Sequence, residues 1–173
     1  MEDSQLMQSF QAGNKESFEV LVIKYRANAV AFARQLVGDA AMAEDIAQES
    51  FADIYVNRDR YNGKSSFKTY LFAIMKHKCI DHLRKIRFSP LDESLNSDLD
   101  TPEDTYLNKE RQQLVKSKLE LLKEDYRMSL YLVEYEELSY QETAKVMGKN
   151  LAQVKILVYR AKKKLRELIE QEV

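Results

Sequence analysis

Apolar residues recur along most of this chain at the three-and-four spacing of an amphipathic helix, and short polar or glycine-bearing breaks separate the periodic stretches. In "SFEVLVIKYRANAVAFARQLVG", Phe18, Leu21, Val22, Tyr25, Ala29, Phe32 and Leu36 fall on one stripe, which Gly38 ends. "AMAEDIAQESFADIYV" repeats the period through Ala43, Ile46, Ala47, Phe51 and Ile54. After a break around Gly63, "SFKTYLFAIMKHKCIDHLRKI" predicts a third helix, with Leu71, Ile74, Met75, Cys79 and Leu83 on its apolar arc. Ser65 or Ser66 suits its N-cap. Three helices of this length can share one core.

The second half is also helical in period. "LVKSKLELL" and "YRMSLYLVEYEEL" each predict helix, and "LSYQETAKVMGKNLAQVKILVYRAKKKLREL" is more sharply punctuated. There Ser139 with Glu142 forms a capping box, Gly148 sits at a helix end, and Asn150 precedes a second amphipathic helix. Ala144, Gly148, Val154 and Leu157 occupy the small, turning and buried positions of a helix-turn-helix. Val154, Leu157, Val158, Ala161, Leu165 and Leu168 make the apolar face of the last helix. Between the halves, "FSPLDESLNSDLDTPED" carries both prolines and no sustained period, so it reads as a linker. The expected fold is all-α: one helical domain over residues 1–88, an acidic linker over 89–110 and a second helical domain over 111–173.

Charge sharpens this division. The 173 residues sum to only −1, yet residues 58–88 hold nine Lys/Arg against two acids, a net of +7. Residues 89–110 hold seven acids and one lysine, and residues 139–173 hold eight Lys/Arg against four acids. A basic block, an acidic connector and a second basic block suggest two modules that face polyanions. With 45% hydrophobic and 32% charged residues the chain suits a globular protein rather than a disordered one. The stretch "MEDSQLMQSF" lacks the apolar core of a secretory signal, and no apolar run reaches the length of a membrane span. The single cysteine, Cys79, excludes an internal disulfide and is compatible with a reducing cytoplasm. A cytoplasmic protein with no membrane insertion is expected.

Within the first basic block, "YNGKSSF" ends as a nucleotide-binding P-loop does. The complete motif needs a second glycine five residues before Gly63, and that position holds Arg58. The preceding segment reads as helix, not as the buried strand that a P-loop follows. Nucleotide hydrolysis is therefore not expected, nor is any other catalysis or cofactor. On the helix that follows, Tyr70, His77, Asp81 and Arg84 share an arc opposite the apolar one, with Ala73 between them. An aromatic, an imidazole and an arginine beside a basic loop suit stacking on unpaired bases and contact with their backbone. An ordinary surface helix with an Asp81–Arg84 ion pair accounts for the same pattern. Metal binding is not expected, because His77 and His82 point in different directions and Cys79 lies on the apolar arc. In the last helix the outward face near its start carries Gln153, Lys155, Ile156, Tyr159, Arg160, Lys162 and Lys163. Such a face can reach base edges in a major groove while its cations hold phosphates; a solvated basic helix closing a bundle is the plainer alternative.

Three stretches together resemble a known family: "DIAQESF", "SSFKTYLFAIMKHKCIDHLRK" and "LSYQETAKVM...QVKILVYRAKKKLREL" are similar to bacterial sigma factors of the extracytoplasmic-function (ECF) type. The similarity runs from about Phe18 to Leu168 and includes both of that family's modules, region 2 and region 4, in order. It implies an RNA polymerase specificity factor rather than an enzyme. In that family the D-x-x-Q-E-x-F helix docks on core polymerase, which implies that role for Asp45, Gln48, Glu49 and Phe51. The loop after it receives a base flipped from the melting promoter. This implies minus-ten contacts for Lys64, Ser65, Ser66, Lys68, Tyr70, His77, Asp81 and Arg84. Region 4 implies minus-thirty-five contacts for Gln153, Lys155, Ile156, Tyr159, Arg160, Lys162 and Lys163. An anti-sigma factor is the implied regulator.

Several positions depart from the family pattern. Tyr70 stands for tryptophan, His77 for asparagine and Lys123 for proline, while Gln153-Val154-Lys155-Ile156-Leu157 replaces Thr-Val-Lys-Ser-Arg. The competing reading is a stand-alone helix-turn-helix regulator with an N-terminal dimerisation or sensor domain.

Overall fold

The computed structural model describes residues 1–87 and 106–171, and among these every regular element is helical. Helices α1 (Asp3–Gln11), α2 (Lys15–Val37), α3 (Ala40–Val56) and α4 (Phe67–Arg87) come first, with a short 3₁₀ turn at Arg58–Arg60 before α4. Then follow α5 (Tyr106–Leu121), α6 (Glu124–Leu130), a π turn at Tyr131–Tyr135, α7 (Tyr140–Met147) and α8 (Leu151–Glu170). The chain forms two compact units. The first is built on α1–α4 and includes Lys145–Met147 of α7; the second is built on α5, α6, α8 and α7 as far as Ala144. None of the described helices is long and apolar enough to cross a membrane.

In the first unit the stripe read on α2 is buried at Phe18, Leu21, Tyr25, Ala29, Phe32 and Leu36, while Val22 is half-buried. Asn14 caps the start of α2 through the Glu16 amide (3.1 Å), and Gly38 ends it at φ +77°, the left-handed conformation that costs glycine least. All five apolar positions expected on α3 are buried. On α4, Leu71, Met75 and Cys79 are buried and Ile74 and Leu83 are half-buried. Phe67 and Phe72 belong to this core as well: Phe72 lies 4.9 Å from the Phe32 ring and Phe67 lies 5.5 Å from Tyr25.

A fourth helix joins the three expected ones. α1 buries Leu6, Met7 and Phe10, and the Phe10 ring stacks on Phe18 at 4.6 Å. Asp3 ties its start to α2, accepting from Lys24 at 2.7 Å and from the Tyr25 hydroxyl.

The linker expected over 89–110 lies outside the described residues as far as 105, and its last five positions are already helical, since α5 begins at Tyr106. The segment "YRMSLYLVEYEEL" is not one regular helix either. Its chain widens at the π turn, where the Glu136 amide donates to the Tyr131 carbonyl at 3.0 Å, five residues back. Glu137 then adopts φ +57°. The core of the second unit includes Leu122, Leu130 and Ala161 with Leu165 and Leu168 around them, and Ala144, Val154 and Val158 with Val133 and Tyr140.

Candidate functional site

The α3 face opposite the core is polar. Asp45, Gln48 and Glu49 are exposed and stand three and four residues apart, so they lie side by side on one face. Phe51 does not share that face: it is 7% exposed and meets the Phe18 ring edge-on at 6.4 Å. One turn of helix places it on the core stripe with Ala47 and Ile54, so it fixes how α3 is rotated while the polar residues are displayed. Glu49 also faces α4, with its carboxylate 3.6 Å from His82 Nε2, and Asp53 lies 3.7 Å from Lys78 Nζ. These cross-helix pairs, invisible in a single helix's period, are partly exposed and add little to the apolar packing of α4 on α3.

The segment between α3 and α4 is a tight loop built on its own backbone. The Lys64 amide donates to Asn62 Oδ1 at 3.0 Å, and Gly63 takes φ +75° with open space where a Cβ would stand. Lys64 and Ser66 are exposed and Ser65 is half-buried. Of the two serines, Ser66 closes the start of α4: its Oγ accepts from the Thr69 amide at 3.2 Å and donates to Thr69 Oγ1 at 2.9 Å. Below the loop Tyr61 is buried, with its ring 5.0 Å from Tyr70 and its hydroxyl donating to the Ser65 carbonyl at 2.6 Å. Burial first, then the Asp3 charge, raises the Tyr61 phenol above the ordinary tyrosine range; burial and Asp53 raise that of Tyr70. Both phenols therefore stay neutral hydrogen-bond donors.

Along α4, Tyr70 is half-buried, while His77, Asp81 and Arg84 are exposed. They run down one side of the helix for fourteen residues, about 21 Å at the α-helical rise. The half-buried Lys68 holds its ammonium 5.9 Å from the Phe72 ring centre. Among the described residues, no cluster of three or more His, Cys, Asp and Glu side chains could hold a metal ion.

In the second unit the helix-turn-helix punctuation is geometric fact. Ser139 Oγ accepts from the Glu142 amide at 3.1 Å, and Gly148 turns the chain at φ +67°. Asn150 and Gln153 then cap each other reciprocally: Asn150 Oδ1 accepts the Gln153 amide at 2.8 Å, and Gln153 Oε1 accepts the Asn150 amide at 3.0 Å. The cap uses the Gln153 amide oxygen, so what Gln153 can offer a partner is its N–H donors. Lys155, Ile156, Tyr159, Arg160 and Lys163 are all exposed, with Ile156 at 52% and Tyr159 at 70%. Two large apolar surfaces among cations on one exposed helix suit an interface better than open solvent. Lys162 is already engaged, 2.6 Å from Glu134 on the π turn, and that bond raises its pKa. Leu157, expected on the core face, is only half-buried.

Position along the chain does not reveal one further polar residue. Gln11, at the end of α1, donates from Nε2 to the Arg58 carbonyl at 2.8 Å and to the Tyr61 carbonyl at 2.9 Å. Only the Leu6, Met7 and Phe10 spacing hints that a helix brings it there.

Comparison with known proteins matches both units. Residues 21–88 match the family model described as Sigma-70 region 2, and residues 112–165 match Sigma-70, region 4. The RNA polymerase sigma-H factor of Pseudomonas aeruginosa is 30% identical over 98% of this chain and 94% of its own length. An ECF RNA polymerase sigma-E factor of Escherichia coli is 29% identical over 99% of this chain and 94% of its own length. Among solved structures, CnrH in complex with the cytosolic domain of CnrY superposes with a TM-score of 0.76 at 22% identity, covering 99% of each chain. The sigma factor RpoE from Bartonella quintana, in complex with the anti-sigma factor NepR, gives 0.74 at 24% identity over 90% of this chain and 98% of its own.

Proposed function

The chain belongs to the ECF sigma factors of the sigma-70 family, and from that premise we propose how its two units divide the work of promoter recognition. The unit within residues 1–88 docks on core RNA polymerase through Asp45, Gln48 and Glu49 and opens the minus-ten element with the loop at Gly63 and the outer arc of α4. The unit within residues 111–173 reads the minus-thirty-five element with the exposed face of α8. The connector over 89–110 joins them. The chain acts in the cytoplasm, is not itself an enzyme and lends specificity to one.

The observation that carries this reading is a division of labour on α3. Phe51 is buried, so the helix is fixed in rotation, and three polar side chains remain outward with no role in the core. An acidic face so held can meet a basic partner face without any rotation of the helix. The loop supplies the second contact class. A tight turn with an exposed lysine above two neutral tyrosines suits an unpaired base, which exposes the π-face that a duplex hides. His77, exposed on the same side of α4, tunes which base is preferred.

Tyr159 and Ile156 extend the reading of α8: they offer apolar contact with thymine methyls, while Lys155, Arg160 and Lys163 hold phosphates or base acceptors. The solved complex of the sigma factor RpoE with the anti-sigma factor NepR supports a regulator of the anti-sigma kind for this chain too.

Competition for core polymerase against a labelled sigma factor tests the docking. Asp45→Arg, and Gln48→Ala combined with Glu49→Arg, are expected to lose core binding by at least about tenfold, because like charges meet across the interface. Circular dichroism should be unchanged, since all three residues are exposed. Undiminished competition by both variants would show that α3 is not the docking face.

A further inference from the structure

The loop proposed to receive an unpaired base is fastened from outside its own sequence. α1 is anchored at its start to α2 through Asp3, Lys24 and Tyr25 and along its length by Leu6, Met7 and Phe10. Its last residue, Gln11, therefore arrives at the loop as part of a rigid element. The two Nε2 hydrogens are both spent there, one on the Arg58 carbonyl (2.8 Å) and one on the Tyr61 carbonyl (2.9 Å). Beside it, the Arg58 guanidinium lies 5.4 Å from the Phe10 ring centre.

We propose that Gln11 is a positioning residue for the promoter-opening loop, clamping its base from α1 so that the Asn62–Ser65 tip is presented in one conformation before DNA arrives. This rests on the reading of that loop as a receiver of unpaired bases. The carbonyls of Arg58 and Tyr61 are bound by Gln11, and that of Ser65 by the buried Tyr61 hydroxyl at 2.6 Å. Both ends of the loop are thereby fixed to the core, while Asn62, Gly63 and Lys64 stay exposed. A side-chain amide suits this task because it alone, among uncharged side chains, carries two hydrogens on one atom. Pre-ordering removes an entropy cost that each loop residue would otherwise incur on binding. Gln11 does not itself need to touch DNA.

The test uses holoenzyme reconstituted with core polymerase and a single-stranded DNA probe, selected by the wild-type holoenzyme from a pool with randomised bases. Gln11→Met keeps the side chain's length and removes both donors. It is expected to weaken probe binding by about fivefold, the scale of losing roughly one net hydrogen bond. Core binding should not change. Gln11→Lys, whose ammonium restores donors to the two carbonyls, should return affinity to within about twofold of wild type. Hydrogen exchange on the free chain should show faster amide exchange in residues 58–66 of Gln11→Met, with α2 and α3 unaffected.

Lys64→Ala and Ser65→Ala serve as the reference pair. If they weaken probe binding and Gln11→Met does not, the clamp is wrong and the loop reading stands. Faster exchange throughout α1–α4 in Gln11→Met also overturns the proposal, because Gln11 would then be a general fold contact. If the reference pair has no effect, the loop reading itself fails.

Discussion

Lys162 has two claimants in the proposed complex: Glu134, 2.6 Å away on the π turn, and a DNA phosphate. Both partners are largely exposed, and exposed pairs contribute roughly 0–1 kcal/mol, so a phosphate can displace Glu134 at small cost. Glu134→Gln in the holoenzyme is expected to raise affinity for a minus-thirty-five duplex by about two- to fivefold. The gain should vanish when Lys162→Ala is added, as a double-mutant cycle on duplex binding would show. Tyr131, in the same segment, gives a pH signature. Burial, then the charge of Glu136, whose Oε1 accepts the phenol at 3.3 Å, pushes its pKa far above 10. Unfolded tyrosine ionises near 10 while the folded phenol keeps its proton, so above about pH 10 the unfolded state binds fewer protons and stability falls as pH rises. The slope is at most about 1.4 kcal/mol per pH unit, reduced by partial solvent screening. Urea midpoints at pH 9 and pH 11 should therefore drop more for wild type than for Tyr131→Phe. Neither pairing was legible in the sequence. A helical period says which face a residue shares, whereas Glu134 and Lys162 belong to different elements. Within α3, by contrast, the period already sets Phe51 on the buried stripe, apart from the three polar residues that share its motif.

Helix ends were more legible than helix partners. Gly38, Ser66, Ser139, Gly148 and Asn150 all act at boundaries, because capping is local chemistry between residues a few positions apart. α1 is not legible in the sequence for the converse reason. It has nine residues and three buried apolar positions, too short for a period to declare itself, and it starts from Glu2 rather than from a strongly preferred capping residue. The π turn was hidden too, since "YRMSLYLVEYEEL" keeps helical spacing while its hydrogen bonds change register. The start of α8 offers a direct measurement. Asn150→Ala removes a reciprocal cap and is expected to cost about 1 kcal/mol. Gly148→Ala places a Cβ at φ +67° and should cost about 1 kcal/mol or more. Chemical denaturation should report both losses in the second unit, and Asn150→Ala should in addition weaken duplex binding by loosening the first turn of α8.

Taken whole, the molecule is nearly neutral, at −1, yet its cations are concentrated in residues 58–88 and 139–173. Each basic surface is small, and salt screens it beyond roughly 8–10 Å. The free chain is accordingly expected to bind promoter duplex weakly and to gain specificity only with core polymerase. Gel shifts with and without core enzyme check this, and tight sequence-specific binding by the free chain would contradict it. The two-part organisation was legible because charge and periodicity change together along the chain. What neither signal encodes is which contacts reach between elements, and there Gln11 and Glu134 stand. One consequence of the division belongs to time rather than space. Every buried apolar residue of α1–α4 lies between Leu6 and Cys79, so all of these residues are in the nascent chain before any of α5 is made. Beyond Arg87 another 86 of the 173 residues remain, roughly 4–17 s of ribosome time, whereas helical bundles of this kind fold in microseconds to milliseconds. The half that holds α3, the proposed polymerase-docking helix, thus precedes α8, the proposed promoter reader, in synthesis.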